Sequence, residues 1–116
     1  MVPQEEQVVV ILQCVDFTKF AVPASLAARS TRVAEALGAG ERVVDLPRGV
    51  SGRGVATAVA YYESRANAAA RGEDLGEFDG VFVRGLTHDK AMDLIPAAHH
   101  LGDEDLFGLL AANRAN

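Results

Sequence analysis

The chain has 116 residues, of which 49% are apolar, so it is long and apolar enough for a single domain, residues 1–116, with its own core. The formal net charge of −5 argues against nucleic acid as a partner, since a phosphate backbone needs a basic surface. The single cysteine, Cys14, excludes an internal disulfide, and no apolar run reaches the length of a membrane span. We therefore expect a soluble domain in a reducing, intracellular compartment.

Three segments predict a small sheet. The unbroken apolar run within residues 7–13 indicates a strand that is covered on both faces or nearly so. After a turn, residues 18–22 read as a second strand and complete a hairpin. Residues 42–46 form the third strand, which ends at Pro47.

The rest of the chain predicts helices. Pro23 suits the first turn of a short helix, and Ser30, Ser51 and Thr87 are suitable caps for three others. The helices are expected, in chain order, at residues 24–29, 31–37, 52–70, 89–101 and 103–112. Two strands, two helices, a strand and further helices make an α+β fold with one small three-stranded sheet.

The turn between the last two helices is the most informative part of the chain. Gly102 lies just past a helix end, where the backbone commonly turns left-handed. Three acids follow it, Asp103, Glu104 and Asp105, and they suit the positive end of the last helix as caps. We therefore expect a helical hairpin with a tight turn at Gly102.

Short words on both sides of this turn resemble one known family. The segment from Ala97 to Leu101, Ala-Ala-His-His-Leu, resembles the Ala-Ala-Asn-Tyr-Leu or Ala-Ala-Asn-Phe-Leu of SCF ubiquitin-ligase adaptors and their relative Elongin C. Leu46-Pro47 resembles the Leu-Pro after the family's third strand, and Phe78-Asp79 its Trp-Asp. The resemblance implies the BTB/POZ fold. It also favours a short helix at residues 81–83, where local β propensity alone favours a strand.

The resemblance implies a non-enzymatic adaptor, cytoplasmic or nuclear, that bridges a cullin to an F-box or similar substrate receptor. The implied cullin-binding residues are Leu46, Pro47, His99 and His100. The implied receptor-binding residues are Leu106, Phe107 and Leu110, which we expect to be exposed in part and to promote self-association. The alternative for this apolar set is core packing of the last helix.

Two departures from the family bear on the structure. Pro96 replaces a branched apolar residue inside the helix at 89–101, where it removes a donor and should kink the helix or force local repair. The chain also stops at Asn116, whereas SCF adaptors continue into two more helices that clasp the F-box.

Other functions remain open at this stage. The same fold can serve as a self-associating BTB module outside a ligase. The Gly-rich loop Arg48–Gly54, at the start of a helix, can hold an anion or nucleotide, although it matches no known phosphate motif. Adjacent histidines on a helix cannot easily share a metal ion, and no nucleophile has a recognisable base. We expect no metal, cofactor or catalytic residue.

Overall fold

The computed structural model of the protein describes residues 8–114, and these form an α+β fold with a three-stranded sheet and five α-helices. The strands are β1 (Val9–Gln13), β2 (Lys19–Pro23) and β3 (Val43–Asp45). A 3₁₀ helix (Ala24–Ala28) follows β2. The α-helices are α1 (Thr31–Gly38), α2 (Gly52–Ala70), α3 (Leu75–Arg84), α4 (His88–Leu101) and α5 (Glu104–Arg114). No helix among these is long and apolar enough to cross a membrane.

The sheet has the strand order β2-β1-β3. β1 and β2 form the predicted antiparallel hairpin, in which Val10 faces Val22. β3 lies parallel to β1 on its other side, with Leu12 opposite Val44. A parallel pair needs a crossover connection, and the 3₁₀ helix and α1 supply it.

Within residues 8–114, only one face of this sheet is covered. Val10, Leu12, Val22 and Val44 point inward and are buried in the apolar core with side chains from all five α-helices. The alternate residues face outward, and Val9 is 46% exposed. The prediction that β1 is covered on both faces is therefore wrong. Because its apolar run is unbroken, β1 lacks the alternation of apolar and polar residues that would indicate a single covered face.

The predicted helix starts are confirmed by their caps. The side chains of Ser30, Ser51 and Thr87 accept hydrogen bonds from the third residue of their helices, as helix-capping side chains do. Pro23 differs from the prediction: it ends β2 in an extended conformation and precedes the 3₁₀ helix. Residues 81–83 lie in α3, so the helix that the resemblance implied there is found.

Close contact between α2 and α4 depends on Gly54. A Cβ atom at this position would overlap the backbone oxygen of Asp93, so glycine lets the two helices approach. α4 runs without interruption from His88 to Leu101 although Pro96 lies inside it. α4 is therefore continuous through Pro96, and the kink or local repair expected there stays a prediction.

Candidate protein-binding surface

The turn between α4 and α5 has the predicted geometry. Gly102 adopts φ 72°, and its N–H donates to the His99 carbonyl at 3.1 Å. The Asp103 N–H donates to the Ala98 carbonyl at 3.1 Å, which completes the helix end. A side chain at Gly102 would also overlap Thr31. Glycine is required here by both the backbone angle and the packing.

A second set of contacts fixes this turn to the body of the protein. The buried Ser30 hydroxyl donates to the Leu101 carbonyl at 2.6 Å. The buried Asp103 carboxylate accepts from the Leu106 N–H at 3.0 Å and so caps α5, as the sequence predicts. The same carboxylate accepts from the Tyr62 hydroxyl at 2.6 Å and pairs with the Arg29 guanidinium at 3.3 Å.

The contacts continue from Arg29 towards α3. The Arg29 guanidinium donates to the Tyr61 hydroxyl at 3.2 Å, and this hydroxyl donates to the Asp79 carboxylate at 2.8 Å. Arg65 holds the same carboxylate with two hydrogen bonds, of 3.0 and 3.3 Å. The result is a continuous network, defined by Arg29, Tyr61, Tyr62, Arg65, Asp79 and Asp103, which we call the polar network. In the described part of the chain, every buried side-chain polar atom has a partner.

Both tyrosines of the polar network are held in the neutral form. Burial raises the pKa of Tyr62, and the hydrogen bond to Asp103 raises it further. Burial also raises the pKa of Tyr61, although its bond from Arg29 opposes that effect. At neutral pH both phenols are therefore hydrogen-bond donors to carboxylates.

Three side chains at the end of this hairpin form an exposed aromatic surface. His99 and His100 are both exposed, and their rings lie 5.0 Å apart in an edge-on arrangement. The ring of Phe107 is 5.8 Å from that of His99 and 38% exposed. We call His99, His100 and Phe107 the His–Phe surface. Neither histidine is buried.

The expected exposure of the other two predicted receptor-binding residues, Leu106 and Leu110, is wrong. Leu106 and Leu110 are fully buried in the core. They are four residues apart on α5 and therefore share the face that packs on α3 and α4, whereas Phe107 lies on another face. For these two leucines, the alternative of core packing is the correct one.

The two predicted cullin-binding residues after β3 also differ in exposure. Leu46 is buried in the core, and its N–H donates to the Gln13 carbonyl at 2.9 Å. Pro47 is exposed, and its carbonyl accepts from the Val50 N–H at 3.0 Å. Of this pair, only Pro47 offers its side chain to a partner.

The loop Arg48–Gly54 has weak features for an anion site. A shallow cavity of about 590 Å³ lies beside it, lined in part by Arg48 and Arg53. Asp16 also lines this cavity and lies close to Gly52, so a carboxylate already lies beside the N-terminus of α2. Arg53 is paired with Asp93 at 3.5 Å. A bound anion would meet the repulsion of Asp16. Within residues 8–114, no group of three or more His, Cys, Asp or Glu could hold a metal ion.

Comparison of the chain with models of known protein families and with curated proteins finds no match.

The side-chain partners of Asp103 were not predicted from the sequence, which indicated only a capping role for this residue. Arg29 and Asp103 are 74 positions apart, and no spacing rule connects residues at that distance. The available signal was the pair Tyr61-Tyr62 in the middle of an amphipathic helix, because buried phenols need a hydrogen-bond partner.

Proposed function

We propose that this protein is a non-enzymatic adaptor with a BTB/POZ fold, which bridges a cullin to an F-box or similar substrate receptor in a ubiquitin ligase. Two features support the proposal. The order of strands and helices is the one that the sequence resemblance implies. His99 and His100, at the position of the family's cullin-binding pair, are both exposed.

The observation that carries the proposal is the way in which the His–Phe surface is held. Its three rings lie on either side of a turn that Ser30, Tyr62 and Arg29 fix from the rest of the fold. A surface that is rigid before binding loses little conformational entropy when a partner covers it. Phe107 adds an aromatic side chain of a type that is enriched at protein interfaces.

Our proposal assigns Phe107 to the cullin rather than to the receptor. Phe107 lies against His99, so a partner that covers one ring also reaches the other. In this proposal the cullin therefore contacts all three residues of the His–Phe surface, together with Pro47. A receptor would reach Leu106 and Leu110 only by displacing α5 from the core.

The test is binding of cullin N-terminal domains to the purified protein, with two of its histidines as the variables. His100→Glu places a charge in the His–Phe surface and should reduce binding at least about a hundredfold, as for the loss of an interface hot spot. His88→Glu is the matched control, because His88 is also exposed on α4 but lies in its first turn. Both variants should keep the melting temperature of the wild type.

The outcomes separate the site from the function. Equal loss in His88→Glu and His100→Glu would remove the site assignment. Absence of binding by the wild type to every cullin tried would remove the ligase function. Bridging needs one more result, a ternary complex of cullin, adaptor and receptor in size-exclusion chromatography. If receptor and cullin instead displace one another, the protein is not a bridge.

A further inference from the structure

The outer face of the sheet is apolar, and none of residues 8–114 covers it along most of its length. Outward-facing Val9 and Val43 are 46% and 45% exposed. Between and beside them lie Ile11, Ala21 and Pro23, none of which is buried. In the register of the sheet, Pro23 is opposite Val9, and Ala21 and Val43 flank Ile11. Five apolar residues thus form one contiguous patch, which we call the outer face.

One end of the outer face carries two opposite charges. Lys19 on β2 and Asp45 on β3 lie on either side of Gln13 in the same cross-strand row. Both are exposed, and in residues 8–114 neither side chain has a hydrogen bond or ion pair. The positive charge lies at one edge of the sheet and the negative charge at the opposite edge.

This arrangement is self-complementary under one particular symmetry. A two-fold axis parallel to β1, in the plane between two stacked sheets, places β1 on β1 and β2 on β3 of the other copy. Lys19 of each copy then meets Asp45 of the other, and Ile11 meets Ile11. An axis perpendicular to the strands would instead place the charged row on the apolar end. We propose that the outer face is a homodimer interface of the first kind, with two reciprocal Lys19–Asp45 ion pairs.

The size of the outer face sets the strength of this dimer. Three strands about 4.8 Å apart and five residues at about 3.3 Å each make a patch of roughly 14 by 17 Å. This is smaller than the interface of a stable dimer, so the association is weak and depends on concentration. In a weak dimer, two ion pairs make a measurable part of the affinity, and the partner of each charge can be found by reversing it.

The experiment is a charge swap followed by sedimentation velocity, from micromolar to millimolar protein and at about 10 mM ionic strength, where screening is weak. The variants Lys19→Asp and Asp45→Lys each turn both ion pairs into repulsions and should weaken the dimer roughly tenfold. The double variant recreates both pairs in the opposite sense and keeps the net charge of −5, so it should dimerise like the wild type.

Two features of the design exclude a simple effect of net charge. Asp45→Lys lowers the overall negative charge and would strengthen association if only repulsion between copies mattered. Lys90→Asp, on α4, makes the same charge change as Lys19→Asp at an exposed site off the sheet and should leave the dimer unchanged. Circular dichroism confirms folding of each variant.

Three results would overturn the inference: a wild type that stays monomeric at millimolar concentration, a double variant no tighter than the single ones, or loss of the dimer in Phe107→Asp but not in Lys19→Asp. The last result would place self-association on the His–Phe surface. The inference does not depend on the adaptor function, because it uses none of the residues assigned to the cullin.

Discussion

The Tyr62 hydroxyl on α2 donates a 2.6 Å hydrogen bond to Asp103, the residue that caps the start of α5. Asp103 is 1% exposed and has the Arg29 guanidinium as its ion-pair partner. One carboxylate thus caps a helix, neutralises a partly buried arginine and satisfies a phenol. Its removal affects three elements at once.

The two acids near Arg29 should differ sharply in their contribution to stability. Asp103→Ala removes the cap and leaves Arg29 and Tyr62 without their acceptor, so we expect a loss of about 3 kcal/mol in the free energy of unfolding. Asp105 approaches the same guanidinium at 3.7 Å but is 84% exposed, and Asp105→Ala should change stability by less than about 0.5 kcal/mol. Urea denaturation followed by circular dichroism measures both. Similar losses in the two variants would show that Asp103 acts only as a surface charge.

Stability should fall at alkaline pH because of the two tyrosines. Both pKa values are raised in the folded protein, so the folded state keeps protons that the unfolded state releases above about pH 10. The stabilisation is present below that pH and is lost as pH rises through the folded-state values. The chain has two tyrosines and no tryptophan, so ultraviolet absorbance follows these phenols alone. Ionisation should coincide with unfolding. Reversible ionisation near pH 10 with an intact dichroism spectrum would contradict the polar network.

Two helical glycines should respond to alanine with opposite signs. Gly54→Ala pushes a methyl group against the Asp93 backbone, and we expect a loss of about 1–3 kcal/mol. Gly108 lies in α5 with open space around the position of a Cβ, so Gly108→Ala should gain about 0.5–1 kcal/mol through helix propensity. Thermal unfolding of both variants in parallel checks the pair. A neutral Gly54→Ala would mean that α2 and α4 can separate at little cost.

Cys14 should react slowly with thiol reagents in the folded protein. The thiol is buried, and burial followed by the charge of Asp16 raises its pKa, so little thiolate is present at neutral pH. We expect modification by a disulfide reagent to be at least about a hundredfold slower than in urea, since it requires local opening. Rapid labelling without denaturant would show that the end of β1 opens readily.

Local signals in the sequence predicted most of the elements, but not α3, where local propensity favours a strand at residues 81–83. Caps at Ser30, Ser51 and Thr87 fixed three helix starts, because a side-chain acceptor there acts within four residues. Gly102 likewise predicted the last turn, because a glycine just past a helix end is also a local signal. The burial of β1 was harder to predict. Residues 8–12 are all apolar, so no alternation with polar residues shows how many faces of the strand are covered.

The site was predicted less completely than the fold. Adjacency on α4 does not decide exposure, since Ala97 and Ala98 are both buried whereas His99 and His100 are both exposed. The burial of Leu106 and Leu110 likewise depends on which face of α5 meets the core. That choice is made by distant groups. Arg29 and Tyr62 hold Asp103 from positions 74 and 41 residues earlier, and contacts of that kind leave no periodic trace in the sequence.

The long sequence separation within the polar network also affects how the protein folds during its synthesis. Arg29 and Tyr62 are synthesised well before the carboxylate that satisfies them, and the core stays open until Leu106 and Leu110 have followed. Until that point the Arg29 guanidinium lacks its carboxylate partner, Asp103, and the apolar core lacks the side chains of α5. The sheet can pair early, but the domain closes only when the segment from Asp103 to Leu110 has left the exit tunnel. Folding of this domain during synthesis therefore waits for α5.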